Sequence, residues 1–289
     1  DEMSSEAKFI KPGNSNKSIY DVISKNSLSE EEEYKLFNYT KKKKLIYLST
    51  PFSRLAADRL KKFGVKVLKI GSGEFNNFPL ISHIINFKKP IIISTGMHSL
   101  ESVKKIVNFL NKKRAKFVLL HTTNLYPTPD HLVRLNSLVE LQKTFPKQVI
   151  GLSDHTGTNY SSYGAVALGA SIIEKHFTDH NNRKGPDISA SIDEKNLKEL
   201  IIGCNKIFLQ RGGNKGHLSQ EQVTRNFAFA SVVAIRKIKK GEIFSKKNIW
   251  VKRPGTGHFK AKEFYKILGK KCKKNIEENI QLKKAHVYG

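Results

Sequence analysis

Six short apolar runs recur along the chain with amphipathic stretches between them, and this rhythm constrains the fold more than any other feature. The runs are LIYLS (45–49), KVLKIGS (66–72), PIIIST (90–95), KFVLLHT (116–122), QVIGLSDH (148–155) and SIIEKHF (171–177). Most are rich in β-branched residues and bounded by turn formers, as buried strands are. The stretches between them, such as SRLAADRLKKFG (53–64) and SLESVKKIVNFLNKK (99–113), carry apolar residues three and four apart, the helical period. Strand, helix, strand at intervals of roughly 20–30 residues predicts a parallel sheet flanked by helices. A further helix is expected over 27–42, with Ser29 at its N-cap and acids in its first turn.

Each run ends in polar residues with chemical use. These are Ser49 and Thr50; Ser72 and Glu74; Ser94; His121 and Asn124; Ser153 and His155; Glu174 and His176. Active groups gathered at the carboxyl ends of many strands are what a (β/α)8 TIM barrel displays. An open doubly wound sheet concentrates them at one switch point, and no Gly-rich nucleotide loop occurs here. Six strands do not close such a barrel. The pattern changes toward the C-terminus, so the first two strands are expected ahead of Asp1, and SIIEKHF is expected to be the last. On this reading 1–208 is a partial barrel and LQRGGNKGHLSQEQ (209–222) is a polar linker. Residues 223–289 form a second, small, mostly-β domain that opens with FAFASVVAIRKIKKGEIFSKKNIWVKRPGTGHF (227–259).

The formal net charge of +27 invites a nucleic-acid reading. Only 9 of the 52 basic residues are Arg, however, and Arg is the usual reader of phosphates and base edges. The lysines are scattered in short groups, with no aromatic-interleaved or zinc-finger motif among them. A lysine-rich solvated surface that helps attract an anionic small substrate is the better reading, with no nucleic acid as partner. A basic nucleic-acid-binding protein built on an inert barrel is the alternative of another class, and two aligned histidines argue against it. Mean hydropathy is −0.43 and no apolar run approaches the ~20 residues of a membrane span, so no membrane association is expected. Two cysteines, Cys204 and Cys272, form neither a disulfide framework nor a CxxC site, which fits a cytoplasmic protein.

Several motifs carry candidate chemistry. In KIGSGEFNN (69–77), Lys69 and Ser72 are able to hold a phosphate and Glu74 to act as acid or base, although a glycine turn with a surface acid reads equally well. STGM (94–97) by itself is an ordinary strand-end turn. HTTNLYPTP (121–129) sets Asn124 and Tyr126 beside a proline-stiffened loop. Strand alternation puts Ser153 and His155 on one face, and Glu174 and His176 on one face of the next strand. A lone histidine is more often a core residue; two at matching positions on consecutive strands point to a shared divalent metal. RKGPDISAS (183–191) reads as a long turn offering Asp187, and RPGTG (253–257) as a turn carrying Arg253.

Taken in order, STPFSRLAADRL, KIGSGEFNNFPLI, PIIISTGM, NLYPTPDHLVRL, GLSDHTG, AVALGASIIEKHFT and GPDISAS resemble the bacterial N-acetylneuraminate (sialic acid) synthases. The tail from FAFASVVAIRKIKKGE resembles the antifreeze-like (SAF) domain that closes those enzymes. The resemblance spans essentially the whole chain. It implies metal-dependent condensation of phosphoenolpyruvate with N-acetylmannosamine by a domain-swapped homodimer. The implied metal is a divalent ion, commonly Mn2+, with Mg2+, Co2+ and Zn2+ as alternatives, held by His155 and His176. Lys69, Ser72, Ser94, Asn124 and Ser153 are implied to hold phosphoenolpyruvate. Asn14, Tyr126, Glu174 and Asp187 are implied to contact the amino sugar, and Glu74 to assist proton transfer. Phe227 and Arg253 are implied to reach the sugar pocket of the partner subunit. The same residues would serve a sister enzyme making legionaminic or pseudaminic acid; the GSGE form of the motif at 71–74 leans toward the N-acetylmannosamine enzyme. The family's N-terminal glutamate motif and a phosphate-binding lysine on its second strand do not precede Asp1, so the 289 residues are expected to be impaired alone. Thr122 stands where relatives often carry Cys.

Overall fold

A computed structural model describes residues 3–12, 15–185 and 187–288. The chain divides into two compact units, Asp1–Gly212 and Gly213–Gly289. The first is built on six parallel strands: β1 (Leu68–Ile70), β2 (Ile91–Ser94), β3 (Phe117–Thr122), β4 (Val149–Asp154), β5 (Ile173–Phe177) and β6 (Ser191–Ile192). They pair strictly in sequence order, β1 to β6. That order is the curled sheet of a barrel; a doubly wound sheet would reverse direction at a switch point.

Eight helices belong to this unit among the described residues. α1 (Ile19–Asn26), α2 (Glu30–Lys42) and α3 (Arg54–Phe63) precede the sheet. α4 (Phe78–Ile85), α5 (Leu100–Lys112), α6 (Leu135–Thr144) and α7 (Tyr160–Ala167) connect successive strands, and α8 (Glu194–Gln210) follows β6. Their ends follow from local chemistry. Ser29 and Glu32 close a reciprocal capping box on α2, as the sequence predicts. Ser53 caps α3 through the Ala56 amide, and Gly64 ends it with φ +80°, a conformation that Gly adopts without a Cβ penalty. On α5, Val103, Ile106, Val107 and Leu110 are buried at helical spacing, which turns one stripe toward the sheet.

The strands carry two faces. Leu68, Ile70, Ile91, Ile93, Phe117, Leu119, Ile150 and Leu152 join the core against the helices. The intervening residues point the other way, into the barrel: Lys69, Ser94, Thr122, Gly151, Ser153, Glu174 and His176. The register sets Ser153 opposite Glu174 across β4 and β5, and Thr122 opposite Ser153 across β3 and β4.

Two strand expectations need correction. The run at 45–49 is not a strand. It has one backbone bond to the sheet, Lys69 N to Ser49 O at 3.4 Å, and leaves Leu45 and Ile46 each 65% exposed. Conversely, SIIEKHF is not the last strand. Ser191 and Ile192, assigned above to a turn and its edge, pair with His176 and Phe177 as β6. Two residues are too short to show a period. The remaining runs all form strands.

In the second unit, β7 (Ser231–Ala234) and β8 (Ile249–Lys252) pair antiparallel. Isolated bridges such as Ile238 with Ile276 and Cys272 with Val287 extend the β structure. Two short helices, α9 (Gln222–Ala228) and α10 (Phe264–Ile267), complete it. Its own core gathers Val232, Ala234, Ile238, Phe244, Ile249, Phe264 and Leu282. Among the described residues no helix is long and apolar enough to cross a membrane.

Gly151 on β4 lies against the residue that leads into β5. A Cβ there would lie 2.4 Å from the Ile172 carbonyl oxygen and 2.6 Å from Leu120 Cδ2. Gly151→Ala is expected to cost about 2 kcal/mol of unfolding free energy in urea titration, because backbone on one side and packed core on the other leave no room to relax.

Candidate active site

The inward residues of β1, β2, β4 and β5 meet at the carboxyl end of the barrel. Lys69 is 6% exposed, and its ammonium donates to Ser94 Oγ at 2.8 Å. The same ammonium lies 3.3 Å from Glu174 Oε2, and Ser153 Oγ donates to Glu174 Oε1 at 2.6 Å. Glu174 thus links a cation from β1 with a hydroxyl from the neighbouring β4.

His155 follows β4 directly and is 5% exposed. Its Nδ1 lies 2.8 Å from the Thr123 carbonyl, which is able only to accept, so Nδ1 carries the proton. The Nε2 lone pair is left facing Ser153 Oγ at 3.3 Å. Tyr126 stacks on the His155 ring at 4.3 Å between centroids. His176 stands edge-on to both, 5.2 Å from the His155 ring and 5.4 Å from Tyr126. Asp187 Oδ2 is 3.9 Å from His176 Nδ1.

Desolvation governs the protonation states. Burial holds the His155 imidazole below its ordinary value, with the Thr123 carbonyl opposing and His176 adding to the effect. Burial raises the Tyr126 phenol, and the Asp187 and Glu174 charges raise it further, so it remains a hydrogen-bond donor. A neutral imidazole with one nitrogen anchored on a carbonyl is the arrangement of a metal-ligating histidine. His155 meets this description, and with His176, whose ring lies 5.2 Å away, it would be the pair to hold a divalent ion. Among the described residues they belong to no cluster of three or more such side chains, so other positions on an ion would fall to water or substrate.

A second group lies around the turns after β1 and β2. Ser72 is buried, and its hydroxyl accepts from the Gly96 amide at 3.1 Å. His98 bonds the Ser72 carbonyl at 3.0 Å. Asn124 Oδ1 is buried without a hydrogen-bond partner, while its Nδ2 lies 3.5 Å from the Tyr126 hydroxyl. A Cβ on Gly96 would fall 1.7 Å from that Oδ1 and 2.8 Å from Ser72 Oγ, so only Gly permits these two side chains to converge.

Of the residues singled out in the sequence, Lys69, Ser94, Ser153, Glu174, His155, His176, Tyr126 and Asp187 are joined by direct contacts. Ser72 and Asn124 converge beside them over Gly96. Glu74 shares the turn after β1 with Ser72, and its carboxylate accepts from Asn77 Nδ2 at 2.6 Å. Phe227 and Arg253 belong to the second unit; Phe227 lies in the last turn of α9 and Arg253 directly follows β8. Asn14 lies outside the described residues. Sequence reasoning missed Thr123, which acts through its backbone and leaves no side-chain signal. It also passed over Gly96, although STGM holds the clue of a small residue directly after a strand.

His121 lies outside the site, on the outer face of β3, with Nε2 2.7 Å from the Val133 carbonyl. Burial lowers its proton affinity, and the Arg134 charge adds to the shift. A histidine whose folded value is depressed contributes stability that is present above its unfolded value, about 6.5, and lost as pH falls below it. The thermal midpoint is therefore expected to drop between pH 7.5 and 5.5, and His121→Gln, which keeps a donor for Val133, should flatten the drop.

Residues 1–216 match the model of the NeuB family, and residues 229–287 match that of the SAF domain. The N,N'-diacetyllegionaminic acid synthase of Campylobacter jejuni is 40% identical over 262 residues, covering 89% of this chain and 78% of that protein. Human N-acetylneuraminate-9-phosphate synthase is 30% identical over 87% of this chain and 70% of its own length. The crystal structure of a spore coat polysaccharide biosynthesis protein E from Chromobacterium violaceum superposes with a TM-score of 0.75 over 99% of this chain and 88% of that one. At 22% identity, that likeness speaks to the fold.

Proposed function

This chain belongs to the NeuB family of sugar-acid synthases, and from that premise we propose that it condenses phosphoenolpyruvate with N-acetylmannosamine, releasing phosphate and N-acetylneuraminate. The observation that carries the reading is the convergence of two unlike sets of groups in one barrel mouth. One set, Lys69, Ser72, Ser94, Ser153 and Asn124, suits a phosphorylated acid. The other, His155, His176, Tyr126, Glu174 and Asp187, suits a polyhydroxylated aldehyde and a metal.

The chemistry asks for both. The Lys69 ammonium and the serine hydroxyls hold the anionic phosphoenolpyruvate in a fixed pose. The Asn124 side chain adds its Nδ2, 3.5 Å from the Tyr126 hydroxyl, as a further donor for that anion. Tyr126, Glu174 and Asp187 orient the sugar so that its aldehyde faces the enol carbon. A divalent ion on His155 and His176, with Mn2+ the first choice, would supply Lewis-acid polarisation of the aldehyde oxygen. Condensation forms one carbon–carbon bond, and the aldehyde oxygen takes up a proton to become a hydroxyl. Water adds at the carbon bearing phosphate, and phosphate leaves. Glu74, beside Ser72, is assigned to proton transfer. Phe227 and Arg253 of the second unit are assigned to the sugar pocket of the partner subunit in a domain-swapped homodimer.

A second reading keeps the reaction and changes the sugar. The Campylobacter relative named for N,N'-diacetyllegionaminic acid favours a diacetamido sugar as acceptor. Comparing kcat/KM for the two aldehydes decides between them. Phosphate release from phosphoenolpyruvate should require both a sugar and a divalent metal. Release that proceeds equally well without any sugar would falsify the proposal.

Two variants test the assignments. His155→Asn should lower kcat by about 10²-fold or more, since it removes a group acting on the developing charge. Asn124→Ala should raise KM for phosphoenolpyruvate about tenfold, the value of one hydrogen bond to a charged ligand, and leave KM for the sugar nearly unchanged.

A further inference from the structure

Behind the two histidines, on the opposite face of the same strands, lies a second polar cluster. Asp154 directly precedes His155, and Lys175 directly precedes His176. Alternation sends them outward, toward the helices. Lys175 Nζ sits 3.0 Å from Asp154 Oδ2, with the two side chains 4% and 1% exposed. The same ammonium donates to the Thr156 carbonyl at 2.5 Å, the Thr156 hydroxyl at 3.1 Å and the Thr158 carbonyl at 2.8 Å. Asp154 in turn accepts from the Thr156 amide at 2.9 Å and from Ser162 Oγ of α7 at 2.7 Å.

We propose that the Lys175–Asp154 pair is a positioning device for the metal centre, holding His155 and His176 at the spacing and angle that let both imidazoles reach one ion. The inference rests on the metal reading above. Residues 154–158 form the strand end and loop that carry His155, and Lys175 on β5 grips that segment at three oxygens besides Asp154. The strand that presents one histidine thereby clamps the loop that presents the other. The two rings meet at 5.2 Å and 82°.

Stability alone does not account for this pair. A buried ion pair loses as much in desolvation as it gains in attraction, and well-packed apolar residues of similar volume serve packing as well or better. Apolar side chains cannot gather loop carbonyls around one point. Partners one step removed from a ligand set its orientation, and their loss typically weakens metal affinity by about 10- to 100-fold.

The test is calorimetric titration of Mn2+ into the full chain, with electron paramagnetic resonance of the bound ion. The double variant Asp154→Asn/Lys175→Met removes both charges and keeps the shape, with an amide still able to accept from Thr156. It should fold, with a circular dichroism spectrum like that of the wild type, and bind Mn2+ about tenfold or more weakly, with an altered resonance line shape. Ser162→Ala removes one bond that anchors Asp154 and leaves both charges in place; its dissociation constant should rise by less. A folded double variant that binds Mn2+ as the wild type does overturns the inference. Should the double variant not fold, an unchanged constant for Ser162→Ala overturns it. A wild-type chain that takes up no Mn2+ removes the metal reading itself, an outcome distinct from a variant that matches a binding wild type.

Discussion

The pairing of β4 with β5, with Ser153 opposite Glu174, is the constraint on which the rest of the site depends. A slip of one residue would turn Glu174 and His176 out to the helices and bring Lys175 into the barrel. That register is secured from both sides. Inside, Ser153 donates to Glu174, which also meets the Lys69 ammonium. Outside, Lys175 binds Asp154 and the loop beyond it. Gly151 allows the two strands to approach closely where any side chain would collide with the Ile172 carbonyl.

The barrel's polar interior is costly to bury and is organised accordingly. Lys69 is a buried cation whose neighbours are a serine hydroxyl and a carboxylate, so its charge is compensated. His155 is buried and neutral, with one nitrogen tied to a carbonyl. Asn124 Oδ1 is the exception: a buried acceptor with no partner, held over Gly96 beside Ser72. An acceptor left in this way calls for a donor such as a hydroxyl or a water.

Much of this was legible in the residues. Alternation along GLSDH and IIEKH was enough to put Ser153, His155, Glu174 and His176 on one side, because a strand has only two faces. The capping box of α2 and the buried stripe of α5 followed from local chemistry. Two strands were misread for opposite reasons. LIYLS has strand composition but makes one backbone bond to β1 rather than a ladder, and pairing is a property of the sheet. Ser191 and Ile192 have almost no pattern of their own and become a strand because β5 offers them an edge. Thr123 was invisible because it acts through a carbonyl, which every residue has.

The sequence by itself determined the class of fold, the two-part organisation and the residue types available for chemistry, because hydrophobic period and strand alternation are local properties. It also carried the family resemblance, of which the matches bear out the NeuB and SAF domains. Only the tertiary structure decided which strands pair, how near the imidazole rings of His155 and His176 stand, which nitrogen of His155 is left open, and that Lys175 reaches back to the loop after β4. Those facts depend on distances between segments 20 to 30 residues apart in the chain, set by the curl of the sheet and the packing of helices on it, which no local pattern encodes.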